Sequence, residues 1–175
     1  MAFLDIPPRD DKSGLVNVVI DTPRGSRNKY KIDEELEVFK LSRILPEGHS
    51  FPFDFGFIPR TRAEDGDALD VMVLMEQPTF PGCLLQVVLI GVLPGQQTEK
   101  GKTITNDRLL AVPQTRTNKP AVRDIADVDP ERLRQLQHFF VSYNVAQGRT
   151  YKPGRPRGPK AAERRLAEAI ERFLQ

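Results

Sequence analysis

The sequence predicts an α+β fold: a closed or partly closed barrel of five or six short strands, followed by two helices. Three observations carry this. Fifteen prolines and twelve glycines punctuate the 175 residues and cut the first two thirds into short pieces. Those pieces are apolar or β-branched runs of strand length. Past Asp129 the apolar spacing becomes helical.

Taken in order, GLVNVVID (14–21) is β-branched and bounded by Gly14 and Pro23, which marks a strand. NKYKIDEELEVFK (28–40) alternates in part, with a turn near Asp33–Glu35, and predicts a hairpin. ALDVMVLM (68–75) and CLLQVVLIGVL (83–93) are apolar runs on either side of the turn-like QPTFPG, as buried strands would be. TNDRLLAVP (105–113) supplies another strand. Asp129 is an N-cap with Pro130 at the first helical position. Behind it Leu133, Leu136, Phe140 and Tyr143 recur at helical spacing to about residue 144. GRTYKPGRPRGP (148–159) is dense in proline and glycine and is expected to hold no regular structure. A second helix over 160–174 places Ala162, Leu166, Ile170 and Phe173 on one face.

Composition narrows the class. Charged residues make up 29% and hydrophobic ones 39%, the balance of a soluble globular chain, and the length suits a single domain over residues 1–175. A net charge of +2 does not by itself imply a nucleic-acid partner. The lone Cys83 excludes an internal disulfide framework, suits a reducing compartment and reads as a small buried hydrophobe. His49 and His138 stand far apart, so no zinc cluster is visible. MAFLDIPPRDDK lacks a basic start and an apolar segment, and Leu84–Leu93 is about half the length needed to span a bilayer. A cytoplasmic protein with no membrane segment is expected.

AEDGDALDVMVLM (63–75) packs Asp65, Asp67 and Asp70 into six positions before an apolar run. A solvated acidic turn is the plain alternative. An EF-hand fails, because Leu69 and Asp70 stand where a ligand and the turning glycine belong. A D-x-D phosphatase nucleophile fails too, since TRAE rather than an apolar strand precedes Asp65. A magnesium-type site fits better: hard cations take oxygen ligands, a coordinated water is acidified, and a neighbouring carboxylate takes its proton. Two of the three aspartates would act as ligands and one as base. Without a cation, their mutual repulsion raises at least one pKa. Lys29, Arg43, Arg108 and Tyr143 jointly make a phosphate compound the natural substrate, although each alone reads as a surface charge or core aromatic.

These residues also carry a resemblance. From about residue 14 to 173 the chain resembles the soluble family I inorganic pyrophosphatases. DGDALDV (65–71) is the strongest match, with Ala68 as a departure, and VVIDTP (18–23), KYKID (29–33), FPFDFGFIP (51–59), LLAVP (109–113), DIADV (124–128) and HFFVSY (138–143) follow the family order. The resemblance implies a five-stranded OB-like barrel with flanking helices. It implies Mg²⁺-dependent hydrolysis of pyrophosphate, with Mn²⁺ as a substitute, in which a metal-bound water attacks in line. Asp65 and Asp70 are then expected as metal ligands, Asp67 as the base, and Lys29, Arg43 and Tyr143 as phosphate-binding residues. Asp21 and Asp107 are further expected ligands, and Arg108 takes a lysine's place against substrate. A homo-oligomer follows, a hexamer if the source is bacterial.

Departures gather around the same site. Asp21 and Lys31 stand where the family has glutamate, and Phe51 and Phe55 where it has tyrosine. Gln97 and Asn106 fall at aspartate positions and Asn144 at a lysine, while Asp107 and Arg108 follow Asn106. Fewer carboxylates should weaken auxiliary metal sites and slow the reaction. Three readings follow: a divergent, slower pyrophosphatase; a hydrolase of another phosphoanhydride or phosphate ester; and a non-catalytic binding protein. Under the last, the seven Lys and Arg between Arg149 and Arg165 would meet an anionic partner such as RNA. A solvated linker or extra phosphate contacts explain them better, and nucleic acid is not the expected partner.

Overall fold

The computed structural model describes residues 3–175. The reading of residues 1–12 therefore begins in two residues outside the described ones. The strands, in chain order, are β1 (Val16–Thr22), β2 (Asn28–Asp33), β3 (Val38–Ile44), β4 (Asp54–Ile58), β5 (Leu69–Val73), β6 (Leu84–Leu93), β7 (Gly95–Glu99), β8 (Lys102–Thr105) and β9 (Arg108–Pro113). Helix α1 (Pro130–Val145), strand β10 (Thr150–Pro153) and helix α2 (Pro159–Leu174) complete the chain.

Five strands close a barrel in the order β1-β4-β5-β9-β6, with β6 returning to β1. The β5–β9 pair is parallel and the others antiparallel. Strands buried on both faces read as continuous apolar runs rather than alternating ones. This is why β1 is buried throughout. One face of these strands joins Val18, Ile20, Val71 and Leu109 to Ala162, Leu166 and Ala169 of α2. The other gathers Phe51, Phe53, Phe55, Met72 and Leu110 against Leu136 and Phe140 of α1. Between β1 and β4 the chains come close enough that a Cβ on Gly56 would lie 2.2 Å from the Val19 carbonyl oxygen, so only glycine fits.

Helix α1 starts as expected: Pro130 occupies its first turn and the Asp129 side chain accepts from Glu131 N–H. Three expectations need correction. Residues 148–159 are not free of regular structure, because β10 pairs antiparallel with β7. An edge strand tolerates Pro153 at its end, and buried Tyr151 anchors it by donating to the Asn106 carbonyl at 3.1 Å. Phe173 is 37% exposed, and Ala169 instead extends the buried stripe of α2. Cys83 is half-buried beside the core rather than fully enclosed. β4, β7 and β8 lie outside the strands that the apolar pattern predicts. FPFDFGFIP mixes aromatics with glycine and proline, and the β7–β8 hairpin is mostly polar. The β2–β3 hairpin forms a sheet of its own, paired from Asn28↔Ile44 to Asp33↔Val38.

Candidate functional site

The acidic turn is built before β5. Gly66 adopts φ 90°, a left-handed conformation open to glycine, and Ala63 N–H donates to the Asp67 carbonyl at 2.8 Å. Asp67 N–H donates to Asp65 Oδ1 at 3.1 Å. Strand alternation then sends Leu69 and Val71 into the core and leaves Asp70 partly exposed on the opposite face.

Asp65, Asp67 and Asp70 border a basin of about 380 Å³ together with Lys29, Arg43, Arg108 and Tyr143. Lys29 and Arg43 face each other across the β2–β3 pair. Arg108 opens β9 with its side chain 7% exposed, and its Nη1 lies 3.1 Å from Asp70 Oδ2. Buried Asn106 Oδ1 accepts from the same Nη1, and Asn106 Nδ2 donates to Gln97 Oε1 at 2.8 Å. Lys31 reaches over the rim, donating from Nζ to Asp67 Oδ2 at 2.8 Å.

Aromatic faces hold the cations. Lys29 Nζ stands 4.3 Å from the Phe55 ring centroid and 5.4 Å from that of Phe51. The Arg108 guanidinium lies 5.3 Å from the Phe140 centroid. Phe51 and Phe55 thus supply ring faces where hydroxyls are absent. Among the described residues, Arg43 Nη1 and Arg108 Nε are buried donors without a hydrogen-bond partner.

Two expected ligands stand off the basin but share smaller cavities with its aspartates. Asp21 sits behind the basin on β1 and shares a cavity of about 150 Å³ with Lys31, Asp67 and Asp70. Its Oδ1 is buried without a hydrogen-bond partner, 4.0 Å from Lys29 Nζ. Burial pushes its carboxyl up to about 6, against the pull of Lys29. Buried Asp54 is the contrast, accepting from Arg24 N–H, Thr79 N–H and the Thr79 hydroxyl. Asp107 does not border the basin but lines a small cavity with Asp65 and Asp70; it accepts from Gly95 N–H at 3.1 Å and pairs with Arg165 at 2.7 Å.

Burial, and next the Asp70 carboxylate, raise the Asp65 carboxyl above its usual range, the response expected of crowded acids. Burial works against the Lys31 ammonium, but its hydrogen bond to Asp67 and the neighbouring carboxylates raise its pKa overall. Hard oxygen donors, one of them a buried orphan, fit a divalent cation. Among the described residues no three acidic, histidine or cysteine side chains converge as a ready-made cage. Asp70, shared by both cavities, is the natural anchor.

Arg149, from the basic stretch for which extra phosphate contacts are one expectation, lines the basin together with Glu99. Arg149 Nε lies 3.0 Å from Glu99 Oε2. Its only sequence signal was membership of the basic stretch after α1. Asn144 turns away from the basin: it is buried and donates to the Phe140 carbonyl at 2.8 Å.

The family described as inorganic pyrophosphatase matches residues 18–174. The inorganic pyrophosphatase of Synechocystis sp. is 42% identical over 136 residues, 78% of each chain. That of Methanosarcina acetivorans is 37% identical over 173 residues, 99% of this chain and 98% of the relative. The crystal structure of the inorganic pyrophosphatase from Thermus thermophilus superimposes with a TM-score of 0.89 at 35% identity, covering 100% of both chains.

Proposed function

We propose, since this chain belongs to the inorganic pyrophosphatase family, that it hydrolyses inorganic pyrophosphate to two phosphates. The carrying observation is the shared basin, lined by Asp65, Asp67 and Asp70 together with Lys29, Arg43, Arg108 and Tyr143. The family implies a divalent metal cofactor; magnesium is the proposed ion and manganese its substitute. Asp65, Asp70 and Asp21 would hold it, and Asp107 would join only after releasing Arg165. When bound, such a cation supplies positive charge to phosphate oxygens and lowers the pKa of water.

The chain's own groups account for the rest. The guanidinium groups of Arg43 and Arg108 bind phosphate oxygens, Lys29 supplies charge from its aromatic seat, and Tyr143 offers a hydroxyl. Asp67, its side chain 64% exposed, takes the proton from attacking water. Lys31 must share or release that carboxylate first. This contact, with Gln97 and Asn106 at aspartate positions, supports a slower reaction than in relatives with a full carboxylate set.

The proposal extends to a cytoplasmic homo-oligomer, a hexamer if the source is bacterial. Exposed Val38, Leu41 and Ile44 on β3 support self-association, and no described helix is long and apolar enough to cross a membrane. Phosphate release from pyrophosphate and a nucleotide panel, with Mg²⁺ or Mn²⁺ beside an Asp67→Asn control, tests the activity. Pyrophosphate turnover no greater than the control's would sink it, and turnover of a nucleotide instead would favour another phosphoanhydride.

A further inference from the structure

Two cations of the chain itself sit on the carboxylates of the acidic turn, and they differ in kind. Arg108 is enclosed, backed by Asn106 and paired with Asp70. Lys31 is half-exposed on β2 and owes its place to one contact, 2.8 Å from Nζ to Asp67 Oδ2. It also borders the smaller cavity that Asp21 shares with Asp70. A divalent ion bridging Asp67 to either aspartate would stand beside this ammonium, and like charges a few ångströms apart repel even in a well-solvated cleft.

We propose that Lys31 is a resident counter-ion of the metal centre: it neutralises Asp67 in place of a divalent cation, leaves Asp65 and Asp70 as the first ligands, and weakens binding in the cavity that it lines with Asp21. The inference rests on the proposed function, because it takes these carboxylates to be metal ligands. It goes beyond that reading by assigning Lys31 control over how tightly, and how many, ions the free protein holds. Lys31 is a positioning residue here; it touches a ligand rather than the reacting atoms.

The test is Mn²⁺ binding to the full chain without pyrophosphate, followed by calorimetry and by the electron paramagnetic resonance signal of free Mn²⁺. Four proteins are compared: the unaltered chain, Lys31→Gln, Lys31→Met and Lys31→Arg, each checked for native circular dichroism. Two neutral replacements guard against a local folding defect in one of them. The expected result is Mn²⁺ affinity about tenfold higher in both neutral variants, with Lys31→Arg unchanged. Equal affinity and stoichiometry in all four proteins would overturn the proposal, as would tightening in Lys31→Arg or no Mn²⁺ binding by any of them. Failure of pyrophosphate turnover leaves this readout intact, so the two readings fail separately.

Discussion

The two walls of the basin reach charge balance in different ways. The β5 wall keeps three aspartates within one turn and strand start, half open to solvent and answered by cations from elsewhere in the chain. The β7–β9 wall is buried: Gln97 and Asn106 are neutral amides hydrogen-bonded to each other, and Asn106 also accepts from Arg108. The first wall is polar surface held in readiness, and the second is a satisfied polar core. A buried charge is tolerated when paired and hydrogen-bonded. The buried amides thus stand beside a guanidinium whose Nη1 meets Asn106 and Asp70 at once. Chemistry is expected from the exposed wall and from Arg108, stability from the amides around it.

Substitutions can break that division. Asp67→Asn should reduce pyrophosphate turnover by about 10²- to 10⁴-fold with an unchanged melting temperature, since it removes a base and disturbs only an exposed ion pair. A change in stability with turnover intact would reverse the assignment of the walls. Arg108→Ala should destabilise by about 3 kcal/mol or more in urea unfolding, because it strands Asn106 Oδ1 and Asp70. Arg108→Lys should cost less, keeping the charge and losing the fork.

Asp21 and Asp54 sharpen the comparison within the buried set. Asp21 holds its proton up to about pH 6 when folded but only to 3.8 as an isolated group. Its contribution to stability is therefore fully present below 3.8 and lost as the pH rises through about 6. In metal-free protein Asp21→Asn should gain about 1–3 kcal/mol at pH 7.5 and almost nothing near pH 4, read from thermal unfolding at both values. Asp54→Asn should instead lose about 1–3 kcal/mol, since three protein donors converge on that carboxylate. The smallest effect belongs to Tyr151→Phe, about 1 kcal/mol in urea unfolding with unchanged turnover, for one buried hydrogen bond to the second wall.

Much of this was legible in the residues themselves. β1, β5, β6 and β9 announced themselves as apolar runs, because a barrel strand covered on both faces has no polar alternation to hide it. Helix α1 was legible from Asp129 and Pro130. β10 was not: its proline-rich surroundings argue against structure, and only pairing with β7 supplies the reason for a strand. The three aspartates stood out through their spacing, and Lys29, Arg43, Arg108 and Tyr143 were already on the expected list. For Arg149 the residues leave a solvated linker and extra phosphate contacts both open, because no local signal shows that the chain after α1 turns back to the basin.

The sequence by itself determined the class of fold, the helix starts and the acidic turn, since each depends on residues a few positions apart. Tertiary structure alone decided which charges meet. Lys31 reaches Asp67 across 36 positions, and Arg165 reaches Asp107 across 58. The expected base thus carries an ammonium, and one expected ligand is held by a guanidinium. Local pattern is blind to such pairings because barrel closure sets them, and Coulomb energy depends on distance in space rather than along the chain.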